Sequence, residues 1–112
     1  SGGNIQKVVV SREFSSDPIL IIADQPTRGI DVGATEMIRK KLVELSREGA
    51  AVLLVSADLN EVMELSDSLI VLNSGKVVAC LDDGNWDDIM MGEYMLGLKR
   101  QSDEEIGRSC HA

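Results

Sequence analysis

The chain has 112 residues, a formal net charge of −8, a hydrophobic fraction of 44% and an aromatic fraction of only 3%. This length fits at most one domain, and its core has to be largely aliphatic. The acidic balance excludes a large basic face for nucleic acid, because negative charges repel the phosphate backbone. No apolar run approaches the roughly 18 residues that a membrane-spanning helix needs.

The first half of the chain alternates between predicted helices and predicted strands. We expect a helix over Ile5–Phe14 and a strand over the apolar run Ile19–Ala23. A long helix is predicted over Val32–Glu48, with Asp31 as its N-cap, and a second strand over Ala51–Val55. Both strands are continuous apolar runs, which favours burial on both faces of a parallel sheet. The apolar residues of the long helix recur at helical spacing; they are Ala34, Ile38, Leu42 and Leu45.

The second half predicts a short capped helix, a hairpin and a final helical segment. Asp58 caps the short helix, with Glu61 as its capping-box partner. Strands at 68–72 and 76–81 flank a turn at 73–75, which is typical of a hairpin. Residues 86–100 predict one or two helices, and 101–112 predict a polar, disordered tail. Alternating strands and helices indicate an α/β fold. Neither Cys80 nor Cys110 has metal-ligand spacing, and nothing else in the sequence suggests a disulfide framework, so we expect reduced cytosolic thiols.

Two segments have the composition of phosphate-handling sites. Asp24 directly follows a buried strand, so its carboxylate is expected at the carboxyl edge of the sheet, where it can hold Mg²⁺. Asp24 equally fits a residue that opens a turn before Pro26. The segment Ser1-Gly2-Gly3 places glycines before a helix, which lets backbone N–H groups approach phosphate oxygens. A flexible terminus is the alternative for those glycines.

Four ordered segments together resemble the motifs of ABC ATPases over at least residues 1 to 80. Ser1-Gly2-Gly3-Asn4 resembles their signature motif, and residues 19–27 resemble the Walker B strand, with Gln25 at the usual catalytic Glu. Residues 28–31 resemble the D-loop. Residues 55–59 resemble the switch segment, with Ala57 at the usual His. The resemblance implies a parallel-sheet, P-loop NTPase-like fold that ends in a hairpin and a helix.

The variant residues narrow this resemblance. Asn4 in the signature and the run from Gln25 to Ala34 are similar to the second ATPase domain of importers for simple sugars and nucleosides. Residues 1–100 are then expected to form the C-terminal portion of that nucleotide-binding domain. Gln25 and residues 94–99 favour the nucleoside branch. A chromosome-maintenance or DNA-repair ATPase lobe, or a non-catalytic interaction fragment, stays open as an alternative.

The resemblance also implies which ligand each residue meets. Two such domains pair head to tail around ATP, so Ser1, Gly2, Gly3 and Asn4 would contact the nucleotide held by the companion domain. Asp24 would hold Mg²⁺ and Asp31 would belong to the nucleotide site through the D-loop. The altered residues, Gln25 and Ala57, predict weak or absent hydrolysis.

The sequence contains no G-x-x-x-x-G-K-[ST] loop, which supplies most of the grip on phosphates in such proteins. We therefore expect a piece of a longer chain that is inactive alone. The family resemblance implies membrane permease subunits as partners, no nucleic acid, and a peripheral position at the cytoplasmic face of the membrane.

Overall fold

The computed structural model describes residues 20–82 and 84–109. The predicted helix over residues 5–14 and the signature-like residues 1–4 lie outside them. No helix within the described ranges has the length and apolar character needed to span a bilayer. In chain order, the elements are β1 (Leu20–Asp24), α1 (Val32–Arg47), β2 (Ala51–Val55), α2 (Leu59–Leu65), β3 (Leu69–Asn73), β4 (Lys76–Leu81), α3 (Asp88–Met95) and α4 (Asp103–Ser109).

The chain divides into two compact units, Ser1–Ala57 and Asp58–Ala112. Its length had suggested one domain at most. The described part of the first unit contains β1, α1 and β2, and the second contains the remaining elements. Each unit buries an apolar cluster of its own, and this is why the two are compact separately.

The first unit is built on a parallel pair of strands. β1 lies beside β2 in a register that pairs Leu20 with Ala51 and Asp24 with Val55. α1 covers one face of the pair and buries the predicted apolar stripe. This arrangement confirms the α/β class. The core of the unit consists of Ile21, Ile38, Leu42 and Leu45.

The opposite face of these strands is exposed, so the expectation of burial on both faces was wrong for the described residues. Leu20, Ile22 and Leu53 are all exposed. Ile22 pairs with Leu53, and Leu20 lies two residues from Ile22, so the three share one face. The core formed by the described residues lies on the α1 side. A continuous apolar run predicts a strand, but it does not show whether one or both faces of that strand are covered.

The ends of α1 agree with the sequence. Asp31 has extended backbone and its Oδ1 accepts the N–H of Ala34 at 2.8 Å, as an N-cap does. The helix ends at Arg47, one residue before the predicted end. Glu48 is the C-cap, and Gly49 follows with φ of 106°.

The second unit is built on the predicted hairpin. β3 and β4 are antiparallel, and the turn between them has positive φ at both Ser74 (52°) and Gly75 (77°). Two positive φ values are typical of a type I′ turn, whose twist matches that of the strands. The core of this unit consists of Leu69, Val71, Val78, Ala79, Met91 and Tyr94.

Two helices complete that core. α2 begins with the predicted cap, because Asp58 Oδ1 accepts the N–H of Glu61 at 3.2 Å. α3 contributes the buried Met91 and Tyr94. Trp86 packs partly buried against the same cluster, and its indole N–H donates to the carbonyl of Met63 at 3.3 Å.

The expected disordered tail contains a helix instead, α4, which contacts β4. Just before it, the N–H of Gln101 donates to the carbonyl of Val78 at 2.9 Å. The Oε1 of Gln101 accepts the N–H of Cys80 at 2.8 Å. These bonds satisfy backbone groups of β4, which a polar composition alone does not predict.

Cys80 is also not the reduced thiol that we expected, because it takes part in a disulfide. The sequence has one other cysteine, Cys110, which lies outside the described residues. Disulfide pairing depends on the spatial distance between two cysteines, which their separation along the sequence does not reveal.

Candidate functional site

The carboxyl ends of β1 and β2 lie side by side and form the edge at which open α/β sheets bind ligands. Asp24 is the last residue of β1 and pairs with Val55, the last residue of β2. Asp24 is exposed, so its carboxylate is accessible to solvent. The structure thus places the predicted magnesium residue at the predicted edge.

Gln25 continues this edge with an unusual backbone. Its φ is 49°, in the left-handed region that residues other than glycine seldom adopt. Two hydrogen bonds hold it there. The Gln25 N–H donates to the carbonyl of Val55 at 2.7 Å, and the Gln25 Oε1 accepts the N–H of Ala57 at 3.1 Å. Left-handed backbone costs about 1–2 kcal/mol per residue, which two hydrogen bonds of about 1 kcal/mol each can offset.

The Gln25–Ala57 hydrogen bond brings together two of the positions where the sequence departs from the motifs that it resembles. It uses the backbone of Ala57, whose methyl side chain offers neither donor nor acceptor. The end of β1 is therefore joined to the segment after β2 through a side chain as well as through the strand ladder. The sequence had suggested only that Gln25 and Ala57 weaken hydrolysis, and not that they are bonded to each other.

The loop after Gln25 leads directly into the cap of α1. The N–H of Arg28 donates to the carbonyl of Gln25 at 3.2 Å, which closes a turn around the buried Pro26. Asp31 follows and uses its Oδ1 to cap α1. Its structural role as an N-cap is thereby confirmed, whereas its predicted contribution to a nucleotide site stays a prediction.

The edge fits the way in which proteins hold Mg²⁺. This ion usually keeps several waters and binds one or two carboxylates together with phosphate oxygens. The exposed carboxylate of Asp24 can supply one such ligand. The described residues contain no group of three or more His, Cys, Asp or Glu side chains placed to hold a metal. The predicted phosphate contacts Ser1, Gly2, Gly3 and Asn4 lie outside the described residues.

Sequence reasoning missed the bond between Gln25 and Ala57. No residue pattern predicts positive φ at a glutamine, because that conformation is rare outside Gly, Asn and Asp. The available signal was indirect. Gln25 directly follows the last residue of one predicted strand and Ala57 follows the next strand by two residues, so parallel pairing brings them to the same edge.

Comparison with known proteins identifies the family. The chain is 42% identical over 109 residues to the guanosine import ATP-binding protein NupO of Bacillus subtilis, an alignment that covers 97% of this chain and 21% of NupO. It is 51% identical over 78 residues to the glucose import ATP-binding protein TsgD13 of Haloferax volcanii, covering 70% of this chain and 14% of that protein. The chain belongs to the ABC ATPase family.

Other comparisons agree with this assignment. The ribose import ATP-binding protein RbsA of Geobacillus kaustophilus is 44% identical over 87 residues, which cover 78% of this chain and 18% of RbsA. A solved ATP-binding subunit of an ABC transporter superposes with a TM-score of 0.70 at 30% identity, over 96% of this chain and 42% of that one. A nucleotide-free ATP-binding cassette, at 23% identity and a TM-score of 0.66, shares the fold over 95% of this chain and 38% of its own. No protein-family model matches the chain.

The chain spans only part of each of these proteins. It corresponds to 14 to 21% of the curated relatives named here. The match to NupO is long enough, at 97% of the chain, to include the predicted Walker B strand, D-loop and switch segment.

Proposed function

We propose that the chain is the C-terminal part of the ATP-binding subunit of an ABC importer for nucleosides or simple sugars. Such a subunit couples ATP binding and hydrolysis to solute passage through membrane permease subunits, from a peripheral position at the cytoplasmic face. The relatives' names support this proposal, since they describe import of guanosine, glucose and ribose. They favour transport over a chromosome-maintenance or DNA-repair ATPase.

In this proposal, residues 1–100 form the C-terminal portion of a nucleotide-binding domain and contribute to two composite sites. Ser1, Gly2 and Gly3 would donate hydrogen bonds to the γ-phosphate of ATP held by a companion ATPase domain, and Asn4 would contact the same nucleotide. Asp24 contributes to the other site, where its carboxylate would hold Mg²⁺. Asp31 lies in the loop that follows. Mg²⁺ would neutralise phosphate charge there.

The bond between Gln25 and Ala57 is the observation that carries the proposal of a weakened second site. A glutamine amide does not accept a proton as a carboxylate does, and its Oε1 already accepts the N–H of Ala57. Ala57 supplies no imidazole. Loss of a general base typically lowers a rate by about 10²–10⁴-fold. This site therefore serves nucleotide binding and domain closure more than hydrolysis.

The two roles are separable by mutation of the full-length subunit. We expect Ser1→Ala to lower ATPase turnover by about 10²-fold, because it removes a donor aimed at the developing charge in the active composite site. Asp24→Ala should lower turnover clearly less than Ser1→Ala does, because it weakens nucleotide binding and domain closure but removes no group from the hydrolysing site. Equal losses in the two variants would contradict the asymmetric assignment. Unchanged turnover in both would favour a non-catalytic interaction fragment.

A second experiment tests the chain by itself. Because the sequence lacks the phosphate-binding loop, titration calorimetry of the 112-residue chain with ATP and Mg²⁺ should give no binding in the micromolar range. Micromolar affinity would show that these residues hold ATP without that loop, which contradicts the proposed division between the two halves of the domain.

A further inference from the structure

The second unit contains a pocket whose lining includes none of Asp24, Gln25, Asp31 and Ala57. It lies between the hairpin turn and the segment that follows α3, and its volume is about 240 Å³. Asn73, Lys76 and Gly97 line it, together with Lys99 and Arg100. Three of the residues that line this pocket are therefore cationic.

This concentration of positive charge runs against the composition of the unit. Residues 58–112 contain twelve acidic residues and only four basic ones, and three of those four line the pocket. If the four basic residues were spread evenly over the unit, most of them would have acidic neighbours and would not lie together at one pocket. Clustered cations in a concave site instead raise the local concentration of anions.

The pocket wall is held by specific contacts. The Nδ2 of Asn73 donates to the carbonyl of Met95 at 2.9 Å, which ties the hairpin turn to the end of α3. Gly97 has φ of 77°, and a Cβ at this position would lie 3.2 Å from the Oδ1 of Asn73. The absence of a side chain at residue 97 therefore permits both the turn and the close approach of Asn73.

The side chains of Lys76, Lys99 and Arg100 retain N–H donors that a ligand can use. Arg100 forms a 2.7 Å pair with Asp103, but both side chains are exposed, at 55% and 91%, and the pair uses Nη2 alone among five N–H donors. The Nζ of Lys99 lies 5.5 Å from the centroid of the Tyr94 ring. Among the described residues, Lys76 forms no ion pair.

We propose that this pocket binds a phosphate group that carries at least two negative charges. Three cations match a multiply charged anion, and the guanidinium fork of Arg100 matches the geometry of phosphate oxygens. The group can belong to a soluble phosphorylated compound or to an anionic lipid headgroup. The acidic surroundings oppose an extended polyanion such as nucleic acid. This site is independent of Asp24 and of the proposed transport function.

The test is a titration of the 112-residue chain with pyrophosphate at constant ionic strength. Binding is measured from the amide NMR signals at each step of the titration. We expect saturable shifts at Lys76, Gly97 and Lys99. The triple variant Lys76→Gln/Lys99→Gln/Arg100→Gln should bind at least about tenfold more weakly, because charged hydrogen bonds are lost. The single variant Lys76→Glu, which leaves the pair between Arg100 and Asp103 in place, should also lose about tenfold.

A matched control removes the same charges elsewhere. The variant Lys40→Gln/Lys41→Gln/Arg47→Gln takes two lysines and one arginine from α1, and it should retain pyrophosphate affinity within about twofold, because none of the three residues lines the pocket. If both triple variants lose pyrophosphate affinity equally, the affinity depends on the net charge of the chain and not on this pocket, which would overturn the proposal. The amide spectra establish that each variant is folded.

Vesicles distinguish the source of the phosphate. A lipid headgroup is indicated if the chain co-sediments with phosphatidylcholine vesicles that contain phosphatidic acid and not with vesicles of phosphatidylcholine alone. The triple variant Lys76→Gln/Lys99→Gln/Arg100→Gln should then fail to co-sediment. Pyrophosphate binding without sedimentation would indicate a soluble phosphorylated compound. Binding of neither probe would overturn the site.

Discussion

The side-chain Oε1 of Gln25 lies 3.1 Å from the backbone nitrogen of Ala57 and accepts its N–H. This bond connects the end of β1 to the segment after β2, at the edge where Asp24 is exposed. The geometry requires only an oxygen acceptor at residue 25. A glutamate carboxylate supplies that acceptor too, and it keeps a second oxygen for proton transfer.

Gln25→Glu should therefore raise the ATPase turnover of a full-length subunit that also carries Ser1→Ala, in which hydrolysis at the other composite site is slowed and no longer hides the change. We expect an increase of up to about tenfold, below the 10²–10⁴-fold range of a complete general base, because Ala57 still provides no imidazole. The measurement is steady-state phosphate release at saturating ATP.

Gln25→Ala is the control for this prediction, because it removes the acceptor and adds no base. Its turnover should not rise. If Gln25→Glu leaves phosphate release unchanged while the protein remains folded and binds ATP, the absence of a carboxylate at residue 25 does not limit hydrolysis.

Local patterns predicted the elements of this chain well. The stripe of Ala34, Ile38, Leu42 and Leu45 is buried, and the second strand has the predicted bounds, Ala51–Val55. Both outcomes depend on periodicity and on residues within a few positions. The caps at Asp31 and Asp58 were predicted for the same reason, because their partners lie three residues away.

Features that depend on distant residues were not predicted. The hydrogen bond between Gln25 and Ala57 joins residues 32 positions apart in the sequence, and the hydrogen bond between Cys80 and Gln101 joins residues 21 positions apart. A polar segment such as 101–109 becomes ordered when it exchanges hydrogen bonds with the backbone of a neighbouring strand, and the composition of the segment does not reveal that strand. The exposed face of β1 escaped prediction because an apolar run is compatible with one or two covered faces.

Asp31→Ala should destabilise the first unit of the 112-residue chain by about 1 kcal/mol, because the N–H of Ala34 loses its acceptor at the start of α1. Asp31→Asn, which keeps an acceptor oxygen, should change the free energy of unfolding by less than about half of that. Urea unfolding followed at the amide signals of α1 measures both. Equal loss in the two variants would show that the charge of Asp31, and not its hydrogen bond, stabilises the helix.

Ile21 and Ile22 are neighbours of the same residue type with opposite environments. Ile21 is 7% exposed in the core under α1, whereas Ile22 is 66% exposed on the other face of β1. In the 112-residue chain, Ile21→Ala should cost about 2–5 kcal/mol through the cavity that it leaves, and Ile22→Ala less than about 0.5 kcal/mol. Urea unfolding at the α1 signals separates them. A comparable cost at Ile22 would mean that its face is covered in solution.

Gly97 and Gly92 provide a matched pair in and after α3. Gly97→Ala places a Cβ 3.2 Å from the Oδ1 of Asn73 at a residue with φ of 77°, so we expect a loss of about 1–2 kcal/mol in the free energy of unfolding. Gly92 lies within the helix and its added Cβ meets nothing within 4 Å, so Gly92→Ala should stabilise by about 0.5–1 kcal/mol. Opposite signs in urea unfolding at the amide signals of α3 are the expected result. If Gly97→Ala leaves the free energy of unfolding unchanged, the turn after α3 does not need left-handed backbone at residue 97. The close approach of Asn73 to residue 97 then does not fix the wall of the proposed phosphate pocket.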